Sequence, residues 1–215
     1  MSYPEELINS QHQQISEILE NHRLTDTILI IGKENVKFNI NRLFLSAIST
    51  EFESILYKKN VQSKSKEITI PNIDPIGFQC VLNYAHASNP NFNDKNILST
   101  INICKTYKIQ SLLQPAQKYF KNILCGRNVC LLLDEAARLN LDAQVGICVE
   151  YLKTHPKEIT AIITTEGTGF TDLNLKEMKL CLELRDDLVV PENVLWSALM
   201  KWADKTHKND NNEHS

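Results

Sequence analysis

The chain has 215 residues, of which 42% are hydrophobic and 23% are charged, and its formal net charge is −3. This composition is typical of a folded globular protein with one large domain or two small ones. The weak negative charge offers no basic surface for nucleic acid and no attraction to an anionic membrane. No stretch reaches the roughly 18 consecutive apolar residues of a spanning helix. We therefore expect neither nucleic acid nor a membrane as a partner.

The N-terminus and the cysteines indicate the compartment. Residues 1–6 lack the basic and apolar parts of a secretory signal. The six cysteines are dispersed and lie mostly in apolar periodic segments, which is typical of buried thiols in a reducing compartment. We predict a cytoplasmic location, with the nucleus as the alternative.

The first half of the chain predicts both strands and helices. Residues 4–22 predict an amphipathic helix, whose apolar stripe consists of Leu7, Ile8, Ile15, Ile18 and Leu19. Residues 27–31 and 36–40 predict a β-hairpin, and one helical stretch follows over residues 42–57. A third strand is predicted over residues 67–70. Helices then begin at Asp74-Pro75, an N-cap followed by proline, and at Asp94.

The second half predicts helices alone. Apolar stripes at helical spacing lie near residues 112–125, 128–140, 143–153, 156–164, 174–184 and 191–204, and the polar tail 206–215 predicts disorder. The change of pattern predicts a domain junction near residue 125. The expected fold class is α+β, a small sheet flanked by helices and followed by an all-helical domain.

Two segments resemble known domain families. The run from Leu24 to Ile28 and the run from Phe38 to Phe52 resemble the opening of a BTB/POZ domain, with Asn41 in place of the usual histidine. The second half resembles a BACK domain in Asn128-Val129-Cys130, Ala136, Leu141, Cys148, Leu152, the run from Leu184 to Glu192, and Trp202-Ala203. The resemblance implies a BTB/POZ domain over residues 1–125 with an N-terminal dimerisation helix, a BACK domain over 126–205, and a disordered tail over 206–215.

The resemblance implies a non-enzymatic adaptor that forms homodimers. The dimer interface would contain the apolar stripe of the 4–22 helix, and Asp26 and Arg42 would form a charged pair there. The alternatives are that this helix folds onto its own domain, that Asp26 ends a turn, and that Arg42 begins a solvated helix.

The resemblance also implies docking on cullin-3, the scaffold of a ubiquitin ligase. The surface would contain Phe52, Ile55, Leu56, Tyr57, Val61 and Ser63. In the family the loop at this point often carries an apolar-x-Glu motif, and here Ser63 replaces the glutamate after Val61. The alternative is an oligomerisation scaffold or regulator that forms homodimers, or mixed dimers with other BTB proteins, without binding a cullin. No kelch repeat or other substrate-reading module accompanies the two domains.

Nothing in the sequence predicts catalysis. The six histidines show no metal-ligand spacing with cysteine or carboxylate residues. The Gly167-Thr168-Gly169 loop lacks the preceding strand and the lysine of a phosphate-binding loop. The neighbouring carboxylates of Asp186 and Asp187 do not converge on one site. We therefore predict no enzymatic activity, no cofactor and no metal.

Overall fold

The computed structural model describes residues 24–57, 67–155, 170–173 and 191–212, together with residues 14, 17, 158, 175, 178, 179 and 182. The chain divides into two compact units, Met1–Phe120 and Lys121–Ser215. The predicted junction near residue 125 lies slightly beyond this division.

The first unit contains a three-stranded sheet with the strand order β2-β1-β3. Strand β1 (Thr27–Ile31) pairs antiparallel with β2 (Val36–Ile40) and parallel with β3 (Glu67–Ile70). Residues of β1 alternate between buried and half-buried, so one face of the sheet lies on the core. The turn of the predicted hairpin begins at Gly32, whose φ of 76° is readily adopted by glycine.

The described residues of this unit also form helices α1 (Arg42–Ile48), α2 (Thr50–Tyr57), α3 (Pro75–Ala85) and α4 (Ile97–Thr106), and helix α5 (Gln110–Ile123) begins in it. Helix α3 begins as predicted, because the side chain of Asp74 accepts a hydrogen bond from the amide of Ile76 and Pro75 is the first helical residue. The sheet and helices of the first unit, together with the helical second unit, confirm the predicted α+β fold class.

Two predicted helix boundaries were wrong. The helix over 42–57 is two helices, because Ser49 is extended, with φ of −154°. Its hydroxyl accepts a hydrogen bond from the amide of Phe52 at 3.1 Å and thereby starts α2. Before α4, asparagines replace Asp94 as the capping residues, since Asn93 accepts the amides of Lys95 and Asn96.

Aromatic rings fill the core of the first unit. Phe52 and Phe78 are fully buried. The ring of Phe78 meets that of Phe38 edge-on at 5.0 Å and that of Phe52 at 6.1 Å. Because these rings come from β2, α2 and α3, their contacts join the sheet to two of its helices.

The second unit contains α6 (Val129–Arg138), α7 (Asp142–Thr154), a short 3-10 turn (Phe170–Asp172) and α8 (Glu192–Asn212). The buried positions of α6 are Val129, Cys130, Leu132, Leu133 and Ala136. The indole of Trp202 on α8 donates to the carbonyl of Leu173 at 2.6 Å.

The predicted disorder of residues 206–215 was wrong for its first part, because α8 continues to Asn212. No glycine or proline interrupts residues 192–212, so the backbone stays helical beyond the packed residues. Most of the predicted segments 156–164 and 174–184, and all of residues 167–169 and 185–187, lie outside the described residues.

Candidate interaction surfaces

Asp26 and Arg42 lie together, but their side chains do not form an ion pair with each other within the chain. The Asp26 carboxylate accepts a hydrogen bond from the backbone amide of Arg42 at 3.1 Å. The Arg42 guanidinium instead donates to the hydroxyl of Thr27 and, at 3.4 Å, to the carbonyl of Leu56. The pair therefore joins the start of β1 to the start of α1 within one chain.

Asn41 connects two exposed leucines beside this pair. Its side-chain nitrogen donates to the carbonyl of Leu24 at 2.7 Å, and its side-chain oxygen accepts the amide of Leu43 at 2.9 Å. Leu24 is 56% exposed and Leu43 is 65% exposed. These two side chains and Asn41 form what we call the Leu24–Leu43 surface, and exposed apolar groups on a fixed frame are typical of protein interfaces.

The residues predicted for cullin docking fall into different environments. Phe52 and Leu56 are 0% and 1% exposed, so their prediction as surface residues was wrong. The amphipathic pattern of α2 turns both side chains inward, where the rings of Phe78 and Tyr107 contact Phe52. Ile55 is half-buried, and Tyr57 is 54% exposed. Among the described residues of this set, Tyr57 thus offers the largest contact area.

Several predicted interface residues lie outside the described residues. In the N-terminal stripe these are Leu7, Ile8, Ile15, Ile18 and Leu19, and in the predicted docking loop they are Val61 and Ser63.

Helix α2 is fixed to the turn between α4 and α5. The Ser49 hydroxyl donates to the carbonyl of Tyr107 at 2.6 Å, and the amine of Lys108 bonds the carboxylate of Glu51 at 2.6 Å. The rings of Phe52 and Tyr107 stack between these bonds, and burial raises the pKa of the Tyr107 hydroxyl. The exposed ion pair contributes little stability by itself, so the buried contacts hold α2 in place.

Sequence reasoning missed Leu24, Leu43 and Tyr107. Leu43 follows the N-cap Asn41 in the first turn of α1, and this position is only a weak local signal that a leucine is exposed. Tyr107 has no local signal, because its contact with Phe52 joins residues distant in sequence.

A polar cluster joins the two ends of the α6–α7 pair in the second unit. The Glu158 carboxylate accepts the hydroxyl of Tyr151 at 2.7 Å and the amide of Gly126 at 3.0 Å. The Tyr151 hydrogen bond is the largest effect on Glu158 and, with the Gly126 amide and the charge of His155, lowers its pKa against the opposing effect of burial. The ring of His155 stacks on Tyr151 at 4.1 Å. These contacts tie the turn before α6 to the segment after α7.

The thiols are structural in most cases. Cys80, Cys104, Cys130 and Cys148 are buried, whereas Cys125 is exposed, and none of these five forms a disulfide. Burial raises the pKa of Cys104 and that of Cys148 to about 12, which keeps both thiols protonated and unreactive near neutral pH.

The described residues contain neither a metal-binding cluster nor a membrane-spanning helix. Within that part of the chain, no three His, Cys, Asp or Glu side chains are grouped so as to hold a metal ion. None of its helices combines the length and the apolar character needed to cross a membrane.

The BTB/POZ domain family matches residues 15–124, which include the three-stranded sheet and the described helices α1 to α5. The chain therefore belongs to the BTB/POZ family. The residues that match the family include Asp26, Arg42 and α2.

Several curated proteins are similar over most of the chain. BTB/POZ domain-containing protein 6 of Xenopus tropicalis is 22% identical over 189 residues, which cover 87% of this chain and 34% of that protein. Kelch-like protein 41 of Mus musculus is 25% identical over 88% of this chain and 30% of that protein. Kelch-like protein 40a of Danio rerio is 28% identical over 71% of this chain and 27% of that protein. The chain thus spans about a third of the length of these relatives.

Proposed function

We propose that this protein is a non-enzymatic interaction adaptor that self-associates through its BTB/POZ unit. Membership of the BTB/POZ family and the likeness to Kelch-like proteins support a role in protein interaction. The observation that carries the proposal is the Leu24–Leu43 surface, where two leucines more than half exposed stand on a frame fixed by Asn41. Burying the exposed part of such side chains against a second copy would contribute about 1–2 kcal/mol for each leucine.

The interface we propose also includes the apolar stripe of residues 4–22. That stripe directly precedes Leu24 in the chain, so one partner could cover both. Asp26 and Arg42 would contribute by holding α1 and β1 in register beneath this interface, since each already bonds within its own chain.

The test is the mass of the chain in solution. Sedimentation of the wild-type chain at tens of micromolar should give a dimer, and Leu43→Glu should shift it toward a monomer because it places a charge in an apolar interface. Ile76→Glu is the matched control, since Ile76 on α3 is 58% exposed and lies at a different helix. A wild-type monomer, or an equal effect of both variants, would refute the proposal.

Residues 126–205 are proposed as a BACK domain. Their described part is helical, and the likeness to curated relatives covers 87–88% of the chain, more than the BTB/POZ match alone. We propose a cytoplasmic location for the same protein, with the nucleus as the alternative.

Cullin-3 docking is the second candidate, with Tyr57 as its supporting observation. This tyrosine is 54% exposed at the end of α2, the helix that the family resemblance implicates. Calorimetric titration with the N-terminal domain of cullin-3 should show binding that Tyr57→Asp and Val61→Asp each weaken. A folded dimer that shows no binding would favour the scaffold alternative, with homodimers or mixed BTB dimers and no cullin.

A further inference from the structure

Arg42 contacts three elements of the first unit at once. Its backbone amide donates to Asp26, its Nε donates to the hydroxyl of Thr27, and its Nη1 donates to the carbonyl of Leu56. Arg42 is also the first residue of α1. One half-buried side chain therefore joins the start of β1, the start of α1 and the end of α2.

The carboxyl end of α2 receives a cation from another helix. The last carbonyls of any helix have no partner within the helix and carry a partial negative charge. Helix α2 has Glu51 and Glu53 in its first turn and no basic residue in its last turn. The Arg42 guanidinium reaches the Leu56 carbonyl from another helix and supplies that cation.

Arg42 also lies between two residues of the Leu24–Leu43 surface in the sequence. Asn41 precedes it and bonds the carbonyl of Leu24, while Leu43 follows it and is bonded to Asn41. A second copy that covers the leucines restrains the first turn of α1 and excludes water from it. Hydrogen bonds of the guanidinium become stronger when water is excluded.

We propose that Arg42 is a positioning residue that couples the Leu24–Leu43 surface to the carboxyl end of α2. Self-association then orders the last turn of α2 and holds Tyr57 in one direction for a further partner. The coupling is reciprocal, so a partner bound at Tyr57 strengthens self-association by the same factor. This inference rests on the proposed self-association.

Amide hydrogen exchange of the full chain, followed by mass spectrometry, tests the contact. Exchange over Ser54–Tyr57 should be about two- to fivefold faster in Arg42→Met, the loss expected for a cation at a helix carboxyl end. Arg42→Lys should restore part of the protection because it keeps the charge. Lys37→Met is the control, since it removes the 2.9 Å bond to Glu67 on the sheet and leaves α2 untouched. Unchanged exchange in Arg42→Met would overturn the proposal.

A double-mutant cycle tests the coupling. Leu43→Glu should speed exchange over Ser54–Tyr57 in the wild-type background and add nothing in the Arg42→Met background. If Leu43→Glu dissociates the protein without changing amide exchange over Ser54–Tyr57, the coupling is overturned and the proposed self-association stands. A wild-type chain that sediments as a monomer overturns the coupling and the proposed self-association together.

Discussion

The rings of Phe52 and Tyr107 lie parallel, with centroids 4.3 Å apart and planes 5° from each other. Phe52 belongs to α2, and Tyr107 follows the last residue of α4, so this stack fixes the helix that carries Tyr57 to the body of the first unit. Any effect of α2 on a partner therefore depends on a core contact as well as on exposed side chains.

Replacement of Phe52 should strongly reduce the stability of the first unit and not merely weaken binding. Phe52→Ala removes a ring that is fully buried, and we expect a loss of about 3–5 kcal/mol in the free energy of unfolding. Tyr57→Ala, at an exposed site on the same helix, should change stability by about 0.5 kcal/mol or less. Urea denaturation of both variants measures this difference, and equal losses would contradict the buried position of Phe52.

Two glycine-to-alanine variants should have opposite effects. A Cβ at Gly77 would lie 2.5 Å from the Ser99 hydroxyl and 2.8 Å from the Ser99 backbone carbon, so α3 and α4 would have to separate. We expect Gly77→Ala to cost about 1–3 kcal/mol. Gly146→Ala, with nothing within 4 Å of the new Cβ on α7, should stabilise by about 0.4–1 kcal/mol.

Thermal denaturation followed by circular dichroism compares the two glycine variants. A wild-type melting temperature in Gly77→Ala would show that α3 and α4 are not closely packed at this point.

Acid should weaken the Glu158 cluster. The folded-state pKa of Glu158 is lowered, so its stabilising effect is present above the unfolded pKa and is lost as the pH falls through the folded pKa. Glu158→Gln, and separately Tyr151→Phe, should therefore reduce the loss of stability between neutral and acidic pH. Urea denaturation of each variant across that range gives the comparison, and an acid sensitivity identical to wild type in both would show that the hydrogen bond contributes nothing.

Asn41 should contribute through two separable hydrogen bonds. Asn41→Asp keeps an acceptor for the Leu43 amide but has no N–H to donate to Leu24, so it should retain most of the stability while weakening self-association. Asn41→Ala loses both bonds and should cost about 1 kcal/mol more. Denaturation and sedimentation measure the two properties separately, and identical behaviour of the variants would contradict this division.

The thiols should differ sharply in reactivity. Among the five cysteines in the described residues, only Cys125 should react with iodoacetamide in the native protein at pH 8, because the others are buried. Peptide mass spectrometry after brief labelling identifies the modified sites. Denaturant should expose the remaining four, and native labelling of Cys104 or Cys148 would contradict their burial.

The sequence alone was sufficient for the elements whose signals are local. A β-branched run predicted β1, alternating residues predicted β2, and Asp74-Pro75 predicted the start of α3, because each of these signals depends on neighbours in the chain. The same local pattern failed at Ser49. The apolar spacing of α1 continues into α2, and the Ser49 hydroxyl marks the break by accepting the Phe52 amide and donating to the distant Tyr107 carbonyl.

The family resemblance implied that Asp26 and Arg42 form a charged pair. Only the tertiary structure decided which groups Asp26 and Arg42 bond and which side chains of α2 are covered. An apolar stripe on a helix must be covered, but whether the cover is the protein's own core or another molecule depends on what packs there. Phe78 and Tyr107, distant in the chain, cover Phe52, whereas Leu24, Leu43 and Tyr57 remain exposed to solvent.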